Sequence, residues 1–232
     1  GGHTTAYFQQ LPGVQEVDVV ELIPNLVPFL QGRIPSIDPV ISDPRVHLIL
    51  DDGRRYLYAH PEERFDLISI DPVRSYTSGN NDLYSMQAMT LYRQHLTASG
   101  ILCAWVDEDH ILSKTLATSF SFVDEYQLFE LASSSPIRYD YSTKTGYSEP
   151  VAVGKPRIMN PDRASMKYIR NQDQIRLDEA SSPVLTDSQP LLEYYLLHPP
   201  INKVIKTSLS SHKDYYTRIF TCKKAWCNPF VH

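Results

Sequence analysis

The run Phe65-Asp66-Leu67-Ile68-Ser69-Ile70-Asp71-Pro72 limits the fold more than any other stretch of this chain. It is short and mostly apolar, preceded by Glu62-Glu63-Arg64 and closed by a proline, as expected of a parallel strand covered on both faces by helices. Asp71 ends it, which puts a carboxylate at the crevice where open α/β sheets bind their ligands. The polar, turn-rich stretch 73–82 follows, and an amphipathic helix is expected from near Tyr84. Strand, acid, loop and helix in that order can clamp a small molecule.

Two earlier apolar runs also end in acids. Val17-Asp18-Val19-Val20 closes on Glu21, about 20 residues past Gly1-Gly2, the spacing of the ribose-binding acid in a dinucleotide-type βαβ unit. Two glycines opening a helix let backbone N–H groups approach an anionic or electron-rich ligand, although a terminal Gly-Gly is by itself a weak signal. Val46-His47-Leu48-Ile49-Leu50 ends on Asp51-Asp52-Gly53, followed by Arg54-Arg55-Tyr56-Leu57. One of these aspartates is expected to cap the helix, and the other to accept from an adenine amino group. Singly, each acid reads as a solvated strand end. Together, Gly1-Gly2, Glu21, Asp52 and Asp71 fall on one edge of one parallel sheet.

Elsewhere, 24–30 reads as a short helix broken by Pro28, with a proline-rich connection through Pro35 and Pro39. A helix over 83–95 is stopped by Ser99-Gly100, and Ile101-Leu102-Cys103-Ala104-Trp105-Val106 supplies a further buried strand. A helix over 109–117 and a β-rich, aromatic stretch over 120–131 follow. Val151-Ala152-Val153-Gly154 reads as the last short strand, in a hairpin with the one before. Asn160-Pro161-Asp162 is expected to cap a helix through 171, with a second over 172–180. The alternation predicts an α/β fold: a doubly wound, mostly parallel sheet ending in an antiparallel pair.

Composition narrows the function. With 232 residues, a net charge of −5 and no clustered basic face, the chain carries no footprint for nucleic acid. No run approaches the roughly 18 apolar residues of a membrane span, and no signal peptide opens the chain. Three cysteines, Cys103, Cys222 and Cys227, indicate neither a disulfide framework nor a zinc site, which fits a reduced, cytoplasmic chain. His47 reads as a lone structural histidine on its strand. The aromatic, modestly basic 203–224 reads as a solvated helix before a loose terminus.

Taken in order, Gly-Gly-His-Thr-Thr-Ala, Val-Asp-Val-Val-Glu-Leu-Ile-Pro, Asp-Pro-Arg-Val-His-Leu-Ile-Leu-Asp-Asp-Gly-Arg, Phe-Asp-Leu-Ile-Ser-Ile-Asp-Pro and Asp-Leu-Tyr-Ser resemble the spermidine synthase family of polyamine aminopropyltransferases. The likeness is to the branch fused to membrane-transporter-like segments, whose usual ending the stretch 185–194 resembles. It implies a class I S-adenosylmethionine-dependent methyltransferase-like Rossmann fold over 1–200, with 201–232 as a C-terminal extension. The family's first strand precedes its glycine loop, so the resemblance also implies a sheet lacking that strand here.

The same resemblance implies roles. Gly1 and Gly2 match part of the glycine loop, Glu21 the ribose acid, and Asp52 with Gly53 the adenine contact. Asp71 matches the base that takes a proton from the attacking amine, and Tyr84 the aromatic residue beyond the loop that follows. The implied co-substrate is decarboxylated S-adenosylmethionine, or S-adenosylmethionine itself. Its sulfonium is its own activated leaving group, so the chemistry calls for no metal. The implied partners are a nucleoside and an amine, with a homodimer as one arrangement. Three features depart from the pattern: His3 stands where a further glycine is usual, no second aspartate follows Asp71, and Arg74 is positive where a polyamine favours a carboxylate. Beside aminopropyl transfer, methyl transfer and a non-catalytic domain of the same fold remain open.

Overall fold

The computed structural model describes residues 3–10, 13–34, 37–70, 79–105, 110–126, 129–138, 147–149, 157–159 and 168–194. The first half alternates helix and strand. Helix α1 (His3–Gln10) leads to β1 (Val17–Glu21), the short helices α2 (Leu26–Leu30) and α3 (Asp38–Ile41), β2 (Val46–Leu50) and α4 (Gly53–Ala59). Strand β3 (Phe65–Ile70), helices α5 (Asn81–Tyr84) and α6 (Met86–His95), β4 (Leu96–Trp105) and α7 (His110–Ser119) continue the alternation. The second half is richer in strand: β5 (Phe122–Tyr126), β6 (Phe129–Ser133), β7 (Tyr147–Glu149), β8 (Arg157–Met159) and β9 (Tyr168–Asn171), then α8 (Gln172–Asp178) and α9 (Leu191–Tyr194).

The α/β alternation expected from the sequence is therefore present. β1 pairs in parallel with β2, and β3 with β4. β4 then pairs antiparallel with β6, β6 with β5, and β5 with β9, giving the order β3-β4-β6-β5-β9. A separate ribbon joins β7 to β8. Among the described residues β1 and β3 are both edge strands, so the parallel part of the fold is divided between two sheets. Helix α4 links them, packing on β1 and on α6.

Burial explains the stability of this frame. β4 alternates, with Leu102 and Ala104 fully buried, and it meets Ala88, Met89, Leu91 and Tyr92 of α6 and Leu112, Leu116 and Ala117 of α7 in one apolar cluster. Each buried leucine contributes about 1.5–3 kcal/mol relative to exposure. Tyr56 and Leu57 of α4 join the same cluster, with Val20 and Ile49 packed against it, so the β1–β2 pair is anchored through that helix.

Local chemistry corrects several sequence expectations. Pro28 lies inside α2 instead of breaking it, because the first turn of a helix has no intrahelical partner for its N–H groups. Pro39 lies in α3, within what read as a plain connection. The helix over 83–95 is two helices divided at Ser85, whose hydroxyl accepts from the Ala88 N–H at 3.1 Å and caps α6. Ser99-Gly100 lies within β4 and terminates nothing; Phe65 pairs with Leu96 and Leu67 with Ile101, so β4 bulges there. Glycine is required at that bulge, since a Cβ on Gly100 would lie 2.9 Å from the Phe65 carbonyl oxygen. Residues 168–171 form β9 in place of a helix end, and Asn171 opens α8 with a capping box to Gln174. The expected strand at 151–154, the cap at 160–162, and 203–224 with Cys222 and Cys227 lie outside the described residues.

One polar cluster sits inside the antiparallel half. Glu130 of β6 is fully buried, and its Oε1 accepts from the Ser113 hydroxyl of α7. Glu125 on the neighbouring strand takes the Arg170 Nε–H of β9 at 2.6 Å, and Arg170 Nη1 reaches Asp178 and Glu179 at 3.0 Å each. Burial, then the Glu125 charge, push the Glu130 carboxyl up to about 8.

Candidate functional site

The parallel register brings the first two predicted acids together. Glu21 pairs with Leu50, and the Asp51 N–H continues the ladder to the Glu21 carbonyl at 3.2 Å. Glu21 and Asp51-Asp52 therefore stand side by side at the carboxyl end of the β1–β2 pair. Glu21 Oε1 accepts from the Ile23 N–H at 2.8 Å, which tightens the turn leaving β1. Its Oε2 makes no hydrogen bond to any described residue, and a pair of ribose hydroxyls suits such a half-committed carboxylate.

The two aspartates after β2 divide their work differently from the sequence expectation. Asp51 accepts from the Asp52 N–H at 2.7 Å and forms an ion pair with Arg55, and that guanidinium holds its carboxyl below the usual range. Asp52 is itself the N-cap of α4: its backbone is extended, and Oδ1 accepts from the Arg55 N–H at 2.9 Å. The cap and the predicted adenine contact thus fall on one residue. The cap engages only Oδ1, so the second oxygen can meet a ligand. At Gly53 a Cβ would have nothing within 4 Å, which leaves the first turn of α4 open to a flat group.

The other half of the rim is built at the end of β4. Ile70 pairs with Ala104, and the next β4 residue, Trp105, offers its carbonyl to the Tyr84 hydroxyl at 2.8 Å. Tyr84 is fully buried, so it locks α5 to the strand end and presents no face to solvent. Gly1, Gly2 and Asp71 lie outside the described residues.

Arg54 joins the two halves, and sequence reasoning gave it no role. One residue into α4, its Nη1 donates to the Asp82 carbonyl of α5 at 3.0 Å, and its Nη1 and Nη2 grip Asp187 at 2.9 and 2.8 Å. The Asp187 carboxyl is held below its usual range by that guanidinium. Tyr92 lies behind them, buried, donating to the Leu83 carbonyl at 3.1 Å and within the electrostatic reach of Arg54, Asp52 and Asp187. These contacts put Asp52 and Tyr84 on the same side of the fold. The only hint in the sequence was the position of Arg54 two residues after Asp52.

At the opposite end of β1 and β2, His47 is not a lone residue. Its Nδ1 lies 2.8 Å from Glu16 and 3.1 Å from Asp18. These three donors lie within 4.8 Å of one another, the spacing of a metal triad, and their bonds to one another also account for the arrangement.

Comparison with known proteins decides the family. The family described as Spermine/spermidine synthase domain matches residues 2–127, more than half of the chain. This chain belongs to the spermine/spermidine synthase domain family. Putrescine N-methyltransferase 2 of Nicotiana attenuata is 26% identical over 126 residues, covering 50% of this chain and 33% of that protein. The polyamine aminopropyltransferase of Alkaliphilus metalliredigens (strain QYMF) is 29% identical over 101 residues, covering 44% and 35%. The chain thus spans about a third of the length of these curated relatives. Among solved structures, a probable spermidine synthase from Corynebacterium glutamicum ATCC 13032 aligns with a TM-score of 0.45 at 11% identity, covering 80% of this chain and 77% of that one. No described helix is long and apolar enough to cross a membrane.

Proposed function

We propose that this spermine/spermidine synthase family member is a transferase that moves an aminopropyl group from decarboxylated S-adenosylmethionine to an amine. The observation that carries the reading is the placement of Glu21 and Asp52 side by side at the carboxyl end of the β1–β2 pair, each with a carboxylate oxygen uncommitted among the described residues. In this reading Glu21 holds the ribose, Asp52 and Gly53 meet the adenine, and Gly1-Gly2 approach the sulfonium side. Tyr84 acts by fixing α5 beside Trp105.

Asp71, next in sequence after β3, is assigned as the base. The amine lone pair attacks the aminopropyl methylene carbon bonded to the sulfonium sulfur. As the C–N bond forms the C–S bond breaks, its electrons go to sulfur to leave neutral methylthioadenosine, and the amine's proton passes to Asp71. Alignment of amine, carbon and sulfur supplies much of the rate in such a displacement. The likeness to putrescine N-methyltransferases supports methyl transfer as the second reading, with the same rim and S-adenosylmethionine as donor.

The domain is read as 1–200 with an extension beyond, in the transporter-fused branch whose ending 185–194 resembles, and facing the cytoplasm. We read the two sheets as parts of one nucleotide-type layer, and α4, which packs on both β1 and α6, supports this. The test is transfer to putrescine from each donor, in wild type and Asp71→Asn. Aminopropyl product from wild type and a loss of at least 100-fold in the variant are expected. Undiminished turnover in Asp71→Asn removes Asp71 from the chemistry, and methylated product alone selects the second reading.

A further inference from the structure

The segment after α8 returns across the helices beside the rim, and its bonds are specific. Leu185 is fully buried; its N–H donates to Thr115 Oγ1 of α7 at 2.9 Å, and its carbonyl accepts from the Met86 N–H of α6 at 2.8 Å. The Thr186 carbonyl accepts from Asn81 Nδ2 of α5 at 2.9 Å, and the Asp187 N–H donates to Gln87 Oε1 at 3.2 Å. Asp187 then takes Arg54 of α4 in a two-pronged pair. One short segment, 133 residues distant from Arg54 in sequence, therefore holds α4, α5, α6 and α7 in a fixed relation.

An exposed ion pair contributes little and needs no further role. This pair differs in geometry. The Arg54 side chain is only 15% exposed, and the planar fork that satisfies both Asp187 oxygens leaves an Nη1 hydrogen for the Asp82 carbonyl. Arg54 is two residues beyond Asp52, and Asp82 is two residues before Tyr84. The guanidinium spans the seam between the two halves of the rim, with Asp187 fixing its orientation from outside.

We propose that Arg54 and Asp187 are positioning residues of the transfer reaction, setting the half of the rim that carries Glu21 and Asp52 against the half that carries Tyr84. The inference rests on the transferase reading of that rim. Neither residue touches the reacting atoms. Their effect is on alignment, where a displacement of about 1 Å costs on the order of 100-fold in rate. Loss of the Asp187 carboxylate removes the two-pronged partner that orients Arg54 toward Asp82 and leaves Tyr58 as its remaining side-chain partner, while the Glu21 turn and the Asp52 cap keep their own partners.

The experiment combines three readouts on the full chain carrying Asp187→Asn or Arg54→Lys. The expected result is a fall in kcat of at least tenfold, with calorimetric affinity for methylthioadenosine within threefold of wild type. Amide exchange at residues 81–84 is expected to rise at least tenfold, and Asp187→Glu to regain most of the lost rate. A purely structural role would lower nucleoside affinity and kcat in equal measure, and that result overturns the proposal. So does unchanged exchange at 81–84. A wild type that binds methylthioadenosine while Asp187→Asn leaves kcat unaltered refutes the clasp alone. A wild type that binds no nucleoside refutes the transferase reading, and the clasp with it.

Discussion

Replacing Glu130 by glutamine tests the internal electrostatics most sharply. The carboxyl is fully buried on β6, and it faces Ser113 of α7, Glu125 of β5, Arg170 of β9 and Glu179 just past α8. Arg170 already serves Glu125, Asp178 and Glu179, so a fourth negative charge finds no cation of its own among the described residues. Burial first, and Glu125 second, raise the carboxyl from its ordinary 4.5 to about 8. The unfolded chain releases this proton near the ordinary value while the folded protein retains it. The stability contributed by Glu130 is therefore whole below about pH 4.5 and is lost as pH rises toward 8. Each pH unit in that window costs about 1.4 kcal/mol, so from pH 5 to 7 the wild type loses about 3 kcal/mol that Glu130→Gln does not. Urea unfolding followed by far-ultraviolet circular dichroism at pH 5, 6, 7 and 9 measures the difference. The variant should gain steadily on the wild type up to about pH 8 and then run parallel to it. Parallel curves across the whole range would refute a protonated Glu130 in the native protein.

Two further substitutions test local claims. Gly100→Ala places a Cβ 2.9 Å from the Phe65 carbonyl oxygen and 3.0 Å from the Thr97 nitrogen, so a destabilisation on the order of 1–3 kcal/mol is expected in the same assay. Asp52→Ala should cost about 1 kcal/mol through the lost cap, whereas Asp52→Ser keeps the cap and most of the stability. Both should weaken methylthioadenosine binding, and an Asp52→Ser protein with wild-type affinity would leave Asp52 as a cap only.

Strands β1, β2 and β3 were legible in the sequence because each is a compact apolar run with an acid at its end or just beyond, and local pattern suffices for such runs. The division of α5 from α6 is hidden in the sequence because Ser85 reads as an ordinary helix residue until its hydroxyl is seen to cap. Gly100 reads as a helix stop, and only the approach of the Phe65 carbonyl explains a glycine within a strand. β9 reads as a helix end in the sequence because its strand character comes from pairing with Asp124, Glu125 and Tyr126, far away in sequence. The same distance hid the site's seam: Glu21 and Asp52 follow from strand ends, but Arg54 finds Asp187 only after the chain has folded. Asp51 and Asp52 were separable in principle and not in practice, since either could have capped α4 until the backbone placed Asp52 at its start.

Calorimetric titration of methylthioadenosine into wild type and Glu21→Gln addresses the nucleoside rim directly. Saturable binding by wild type is predicted, weakened at least tenfold in the variant, a loss of about 1.4 kcal/mol. Equal affinities, or no binding of methylthioadenosine or S-adenosylhomocysteine by wild type, would contradict it.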